Sequence, residues 1–262
     1  MRDRPTLIPT SALTTTEIAE IRRRIGPHPV WRLYFETALE ALERGEDNRA
    51  LLLSKTGGLI MAIAFNTLTV MTAMSPLSES ELAVMIQHFG ATELHLDEDL
   101  AKRVRAAAGD RVNADLELLF YKIPEDIAAD DQPAIERLGP EALQEIRDFT
   151  RRWNPSTIFS DWMIDLPTSG IRSDGELVAL AGVIAEHWGS RTRMLGNFIT
   201  APDARGRGHA KALCRALVAK SRATGFKTIT LCTTADNIGA RRAYEAVGFR
   251  RVEVRRQIDL AP

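Results

Sequence analysis

Apolar positions in this chain change their spacing repeatedly, and each change marks an element. Thr14-Thr15-Thr16-Glu17 reads as a helix cap, with the helix running to about Arg24 before Gly26-Pro27-His28-Pro29 breaks it. Leu33, Ala38, Leu39 and Leu42 supply the apolar face of a second helix, from about Val30 to Arg44. Three strand-like runs follow, Ala50 to Ser54, Leu59 to Phe65 and Leu68 to Met74. Ser78-Glu79-Ser80-Glu81 opens a helix to about Phe89. Then come a strand from Glu93 to Leu96, a helix from Asp97 to Ala108 and a strand from Leu116 to Ile123.

The segment Pro124 to Pro133 is acidic and bounded by prolines, which predicts a linker. After it the pattern restarts with a short strand, Ile135 to Leu138, and a helix from Gly139-Pro140-Glu141 to about Arg152. Trp153 to Thr168 is irregular, with an apolar cluster in Ile158, Phe159, Trp162, Met163 and Ile164. Asp174-Gly175 predicts a hairpin turn into Leu177 to Ala185, and a turn near Gly189 leads into Met194 to Thr200. A helix from Arg207 to Thr224, a strand from Thr228 to Cys232, a helix from Ile238 to Val247 and an alternating strand from Phe249 to about Leu260 complete the chain. Both halves show one order of elements, which reads as a tandem repeat: a domain at 1–123, a linker at 124–133 and a second domain at 134–262. The class is α/β.

At 262 residues the chain has room for two such domains, and 45% hydrophobic residues supply their cores. A net charge of −1 gives no electrostatic case for nucleic acid or an anionic membrane. No apolar run reaches membrane-spanning length, and Met1-Arg2-Asp3-Arg4-Pro5 is not followed by a signal-type apolar core. The two cysteines, Cys214 and Cys232, fall in a predicted helix and the following strand. They read as reduced thiols of a cytoplasmic protein, and without a histidine cluster they argue against zinc.

Chemistry concentrates in Asn197 to Leu213. A strand end, a short proline-containing connection and Arg205-Gly206-Arg207-Gly208 run into a helix. Such a bend leaves main-chain N–H groups without partners at the helix start, and the helix dipole favours an anion there. Glycines at 206 and 208 let a phosphate come close to the backbone. A Walker loop would end in Gly-Lys-Ser/Thr, but Gly208-His209-Ala210 stands here. A dinucleotide fingerprint would need a third glycine and an acidic residue at the end of the next strand, and neither is present.

Arg205-x-x-Gly208-x-Ala210 resembles the Arg/Gln-x-x-Gly-x-Gly/Ala signature of the GNAT superfamily, the acetyl-CoA-dependent N-acetyltransferases. Asn237-Ile238-Gly239-Ala240-Arg241-Arg242-Ala243-Tyr244, followed by Gly248-Phe249, resembles that family's later Asn, Tyr and Gly-Phe pattern. The resemblance covers about residues 133–260 and implies a GNAT-type mixed sheet flanked by helices. The first half, with Ser75-Pro76-Leu77-Ser78 at the matching place, reads as a degenerate copy without a phosphate cradle.

The resemblance further implies a strand that splays from its neighbour, with the backbone of Phe198, Ile199 and Thr200 meeting pantetheine. Arg205, Gly206, Arg207, Gly208, His209, Ala210 and Lys211 would wrap the pyrophosphate. For Arg207 and Lys211 the side chains read equally well as a solvated helix face. Asn237 would bind the pantetheine arm, cap the helix, or do both. Tyr244 would protonate the leaving thiolate; its alternative is a core tyrosine. The implied reaction is direct attack of a neutral primary amine, on a small molecule or a protein, on the thioester of acetyl-CoA, with no metal. Glu186 and His187 are candidate bases, with Asp161 and Asp165 behind them. Phe159, Trp162 and Met163 either line an acceptor pocket or pack under the loop. A protein that binds CoA without transferring acetyl is the alternative.

Overall fold

In the computed structural model, which describes residues 13–26, 28–45, 49–54, 56–65, 68–88, 92–127, 135–155 and 157–261, the elements follow the changes in apolar spacing. Pro27, the helix end at Phe89 and most of the linker, residues 128–133, lie outside the described residues. The chain divides into two units. One runs to Leu118 and takes in the chain from Val254 onward; the other is Leu119–Glu253.

In the first unit Thr14 caps α1 (Thr15–Ile25) through a capping box with Glu17, and α2 (Pro29–Glu43) opens on a proline whose missing N–H costs nothing there. The strands β1 (Arg49–Leu53), β2 (Leu59–Ala64) and β3 (Thr69–Met74) form an antiparallel meander. After α3 (Glu79–His88), β4 (Thr92–Leu96) lies parallel to β3, and α4 (Glu98–Ala108) follows with Asp97 as its cap. The period of two along β2 sorts its side chains. Met61 packs with Ile21, Trp31 and Phe35 of α1 and α2, while Ile60 and Ala62 pack with Leu82 of α3 and Leu100 of α4.

In the second unit β6 (Glu136–Leu138) and α5 (Leu143–Trp153) precede a 3-10 turn at Asp161–Asp165 within the irregular stretch. A strand not expected there, β7 (Thr168–Ser173), pairs with β8 (Glu176–His187) through the Asp174-Gly175 hairpin, both of whose residues have positive φ. Then come β9 (Thr192–Thr200), α6 (His209–Ala223), β10 (Thr228–Thr234), α7 (Ile238–Glu245) and β11 (Arg250–Leu260). Leu213 and Leu217 of α6 are fully buried with Ala179, Val183, Leu195 and Ile229. Each such leucine stabilises the packing by about 2 kcal/mol, which holds α6 at the end of β9.

The unit boundaries depart from a split by chain order. The strand expected at Leu116 to Ile123 is β5 (Val112–Ile123), and its second part belongs to the second unit, where it stands next to β10. In the first unit the neighbour of β4 is β11, paired antiparallel from Arg256↔Leu96 to Leu260↔Thr92. Ile258 and Leu260 are buried with Leu94, Leu96 and Leu100. The end of the chain therefore completes the first unit, and 134–262 is not one unit.

Candidate functional site

The bend after β9 is built by main-chain geometry. Ala201 N–H donates to the Val178 carbonyl (2.9 Å), a 3-10 turn covers Pro202–Ala204, and Arg205 Nε donates back to the Thr200 carbonyl (3.2 Å). Gly206 has φ 77° and Gly208 φ 83°, the left-handed region that a side chain disfavours. Gly208 is the N-cap of α6 and has no side chain to cap it, so the helix starts at His209 rather than Arg207. The first helical bond to close is Ala212 N–H to the Gly208 carbonyl, 3.0 Å.

The main-chain N–H groups from Gly206 to Lys211 therefore find no acceptor among the described residues. A Cβ built at Gly206 or Gly208 meets nothing within 4 Å, so the space beside both glycines is open. Arg205 and Arg207 are exposed, and no carboxylate pairs with Arg207 or Lys211 among the described residues. Unanswered N–H groups, a helix N-terminus and uncompensated cations all favour an anion at one place.

Beside the bend, β9 parts from β10. Their parallel ladder runs from Thr192↔Thr228 to Leu195↔Leu231 and stops, although β9 continues to Thr200 and β10 to Thr234. On its other side β9 stays paired with β8 through Ile199↔Leu180 and Thr200↔Ala179. The register shifts between Gly196↔Gly182 and Ile199↔Leu180, so β9 carries an extra residue there, and Asn197 has φ 53°. This is a β-bulge, which bends the strand and frees the side of Phe198, Ile199 and Thr200 that would face β10.

Tyr244 lies against the parted end. It is 4% exposed, with the rings of Phe198 at 5.1 Å, Tyr121 at 6.3 Å and Phe249 at 6.4 Å. No hydrogen bond joins its hydroxyl to another described residue. Burial, then the nearby Cys214, Cys232 and Tyr121, push its ionisation well above the ordinary phenol range, so it keeps its proton. Ring packing thus fixes the phenol's position while its proton stays uncommitted. Asn237 caps α7, its Oδ1 accepting from Ala240 N–H at 3.2 Å, and its side chain is exposed.

Glu186 is not at this place. It pairs in register with Arg193 at the opposite end of β9, roughly 17 Å along the strand from Phe198. Its Oε2 accepts from Arg193 Nε (2.7 Å) and its Oε1 from Trp188 Nε1 (3.0 Å). Arg193 in turn lies over the Phe226 ring at 3.9 Å and donates to Thr224 Oγ1 at 3.0 Å. The carboxylate that reads as a base in the sequence is the counter-ion of a buried arginine. His187 is likewise engaged, its Nδ1 bonded to Ser190 Oγ and Ser190 N–H. Asp161 pairs with Arg147, and Asp165 is exposed.

Of the acceptor-pocket candidates, Phe159 and Met163 are buried at 7% and 1%, and Trp162 is half-buried. Asn197, whose role the sequence pattern did not reveal, touches this segment directly. Its Oδ1 accepts from Thr157 Oγ1 at 2.9 Å, and its Nδ2 lies 3.6 Å from the Met163 sulfur. The available signal was the asparagine itself, which tolerates positive φ.

The first unit offers a contrast. The start of its α3 is closed by a carboxylate of the same chain. Glu81 accepts from Ser78 N–H (2.7 Å), Ser78 Oγ (2.7 Å) and Ser54 Oγ (2.8 Å), and Glu81 N–H donates to Ser78 Oγ. An internal anion stands at the helix start that α6 leaves open.

Residues 127–249 match the acetyltransferase (GNAT) family. No curated protein matches the sequence at a significant level. Among solved structures the chain is similar to a Drosophila protein, at 17% identity over 98% of this chain and 99% of that one, with a TM-score of 0.71. A GNAT-family protein of Novosphingobium aromaticivorans is similar at 22% identity, covering 89% and 96%, with a TM-score of 0.62. A GCN5-related N-acetyltransferase-like protein of Streptococcus suis gives 16% identity, 92% and 99%, and 0.63. At these identities the likeness is one of fold, and it spans both units.

Proposed function

We propose, on the match of residues 127–249 to the acetyltransferase (GNAT) family, whose co-substrate is acetyl-CoA, that the protein transfers acetyl from acetyl-CoA to a primary amine, on a small molecule or a protein, by direct attack. The observation that carries this reading is the run of unanswered N–H groups from Gly206 to Lys211, set beside a strand pair that parts after Leu195. The bend would take the diphosphate, with Arg207 and Lys211 adding charge. The free main chain of Phe198, Ile199 and Thr200 would pair with pantetheine, and Asn237 would meet that arm while capping α7.

A neutral amine nitrogen attacks the thioester carbonyl. A main-chain N–H of the parted strand steadies the oxygen as its charge grows. The C–S bond then breaks, and Tyr244 gives its proton to the thiolate sulfur. The proton lost by nitrogen returns through water to Tyr244. Glu186 has no part in this, since Arg193 and Trp188 occupy its carboxylate. No metal enters the reaction.

Two free cysteines suit a reducing compartment, and the cytoplasm is where this reading puts the protein. The first unit, with Glu81 closing α3, is read as a degenerate copy that leaves CoA to the second.

The engagement of both leading bases, Glu186 and His187, favours one other reading, a CoA-binding protein that transfers nothing. Thiol release from acetyl-CoA across a panel of amines separates the two. Amine-dependent release supports transfer; CoA binding with no release on any amine supports the sensor.

A further inference from the structure

A residue at positive φ inside a strand is most simply a glycine, because a glycine pays no steric cost there. Position 197 carries asparagine instead, at φ 53°. The main chain alone does not need that side chain, so its bonds carry the information. Both lead to the same segment. Thr157 Oγ1 donates to Asn197 Oδ1 at 2.9 Å, and Asn197 Nδ2 lies 3.6 Å from the sulfur of the fully buried Met163.

The next residue, Phe198, has its ring 5.1 Å from Tyr244. Two consecutive residues therefore face two different things: one the phenol, the other the irregular stretch between α5 and β7. The bulge that frees the edge of β9 is the point from which this stretch is held. Gly196, on the other side, could not hold it, since a Cβ there would come within 2.8 Å of Ile184 Cγ2.

We propose that Asn197 is a positioning residue that fastens the segment Thr157–Met163 beside the parted end of β9, making that segment the wall against which the acceptor amine is bound. The proposal rests on the acetyl-transfer reading for its functional half. Its structural half stands alone. Other bonds of the segment include the Asp161–Arg147 ion pair to α5, the 3-10 turn at Asp161–Asp165, and the local Thr157 N–H to Asn154 carbonyl (3.0 Å) and Met163 N–H to Ser160 carbonyl (2.9 Å) bonds; Asn197 ties it to β9.

Asn197→Gly keeps the backbone conformation and removes both side-chain bonds. Hydrogen exchange of the amides from 157 to 163 should speed up by about 5- to 10-fold, the loss of one to two modest hydrogen bonds. CoA affinity by calorimetry should stay within about 2-fold. For the amine that gives the most thiol release, KM should rise by about 5- to 10-fold while kcat and the KM for acetyl-CoA hold. Thr157→Val, which leaves β9 untouched, should move the same quantities in the same direction by less. Unchanged exchange across 157–163 in Asn197→Gly overturns the proposal. So does a KM for acetyl-CoA that rises together with that of the amine. If the unaltered protein releases no thiol with any amine, the transfer reading has failed, and the exchange measurement still decides whether Asn197 holds the segment.

Discussion

Gly206 and Gly208 allow conformational strain and ligand contact to be separated. Both have positive φ, 77° and 83°, and at both a new Cβ meets nothing within 4 Å. An alanine at either position therefore costs the folded protein only its left-handed conformation, about 1 kcal/mol. For units of this size that is a fall in Tm of roughly 3 °C, alike in the two variants. Ligand binding is different, because the open space beside Gly208 is where the proposed diphosphate lies against the N–H groups of α6. Displacing it from one charge-assisted hydrogen bond costs about 1.5–3 kcal/mol, or roughly 10- to 150-fold in Kd. Calorimetry with CoA on Gly208→Ala should show that loss. Titration with pantetheine, which has no diphosphate, should show the same affinity for variant and parent. A CoA affinity within 2-fold of the parent, alongside the expected fall in Tm, would refute the reasoning: the strain would be present and the anion absent from the bend.

Tyr244→Phe should lower kcat by about 100-fold, the lower range for a positioned acid, and leave the KM for acetyl-CoA nearly unmoved; an unaltered kcat removes the acid role. Tyr244 and Tyr121 are both raised above the ordinary phenol range, burial being the first cause. The native state thus holds these protons more tightly than the unfolded chain. Their contribution to stability is whole below about pH 10 and is lost as the pH climbs from there, so chemical denaturation above that pH should show stability falling less steeply in Tyr244→Phe than in the parent. Glu186→Gln should lower stability by about 2 kcal/mol, because the nearly buried Arg193 loses its counter-ion, and leave the pH profile of kcat/KM in place; a collapse of kcat/KM with a displaced acidic limb would restore Glu186 as the base.

Much of this architecture is written in short-range chemistry. Thr14 and Glu17 lie within one turn, and their capping box can be read directly. Asp174-Gly175 carries the two positive φ values its hairpin needs. The bend at Gly206 and Gly208 announces itself because only glycine sits easily there. What the pattern does not carry is choice of partner over long separations. Residues 92–96 and 256–260 alternate as any strands do, and nothing local says that they pair with each other rather than with nearer strands. The same holds for Glu186, whose meaning depends on Arg193 lying opposite it in the β8–β9 register and on Phe226 beneath that guanidinium. The bulge at Asn197 falls between these cases. An asparagine between Gly196 and Phe198 permits positive φ, but the side-chain partners that explain it lie far back in sequence, at Thr157 and Met163.

The crystal structure of the protein grown with acetyl-CoA tests the central claim most directly. The account predicts diphosphate oxygens within hydrogen-bonding distance of the N–H groups between Gly206 and Lys211, and the thioester sulfur beside the Tyr244 hydroxyl in the gap that opens after Leu195. A diphosphate bound anywhere else, or a sulfur remote from that phenol, would contradict it.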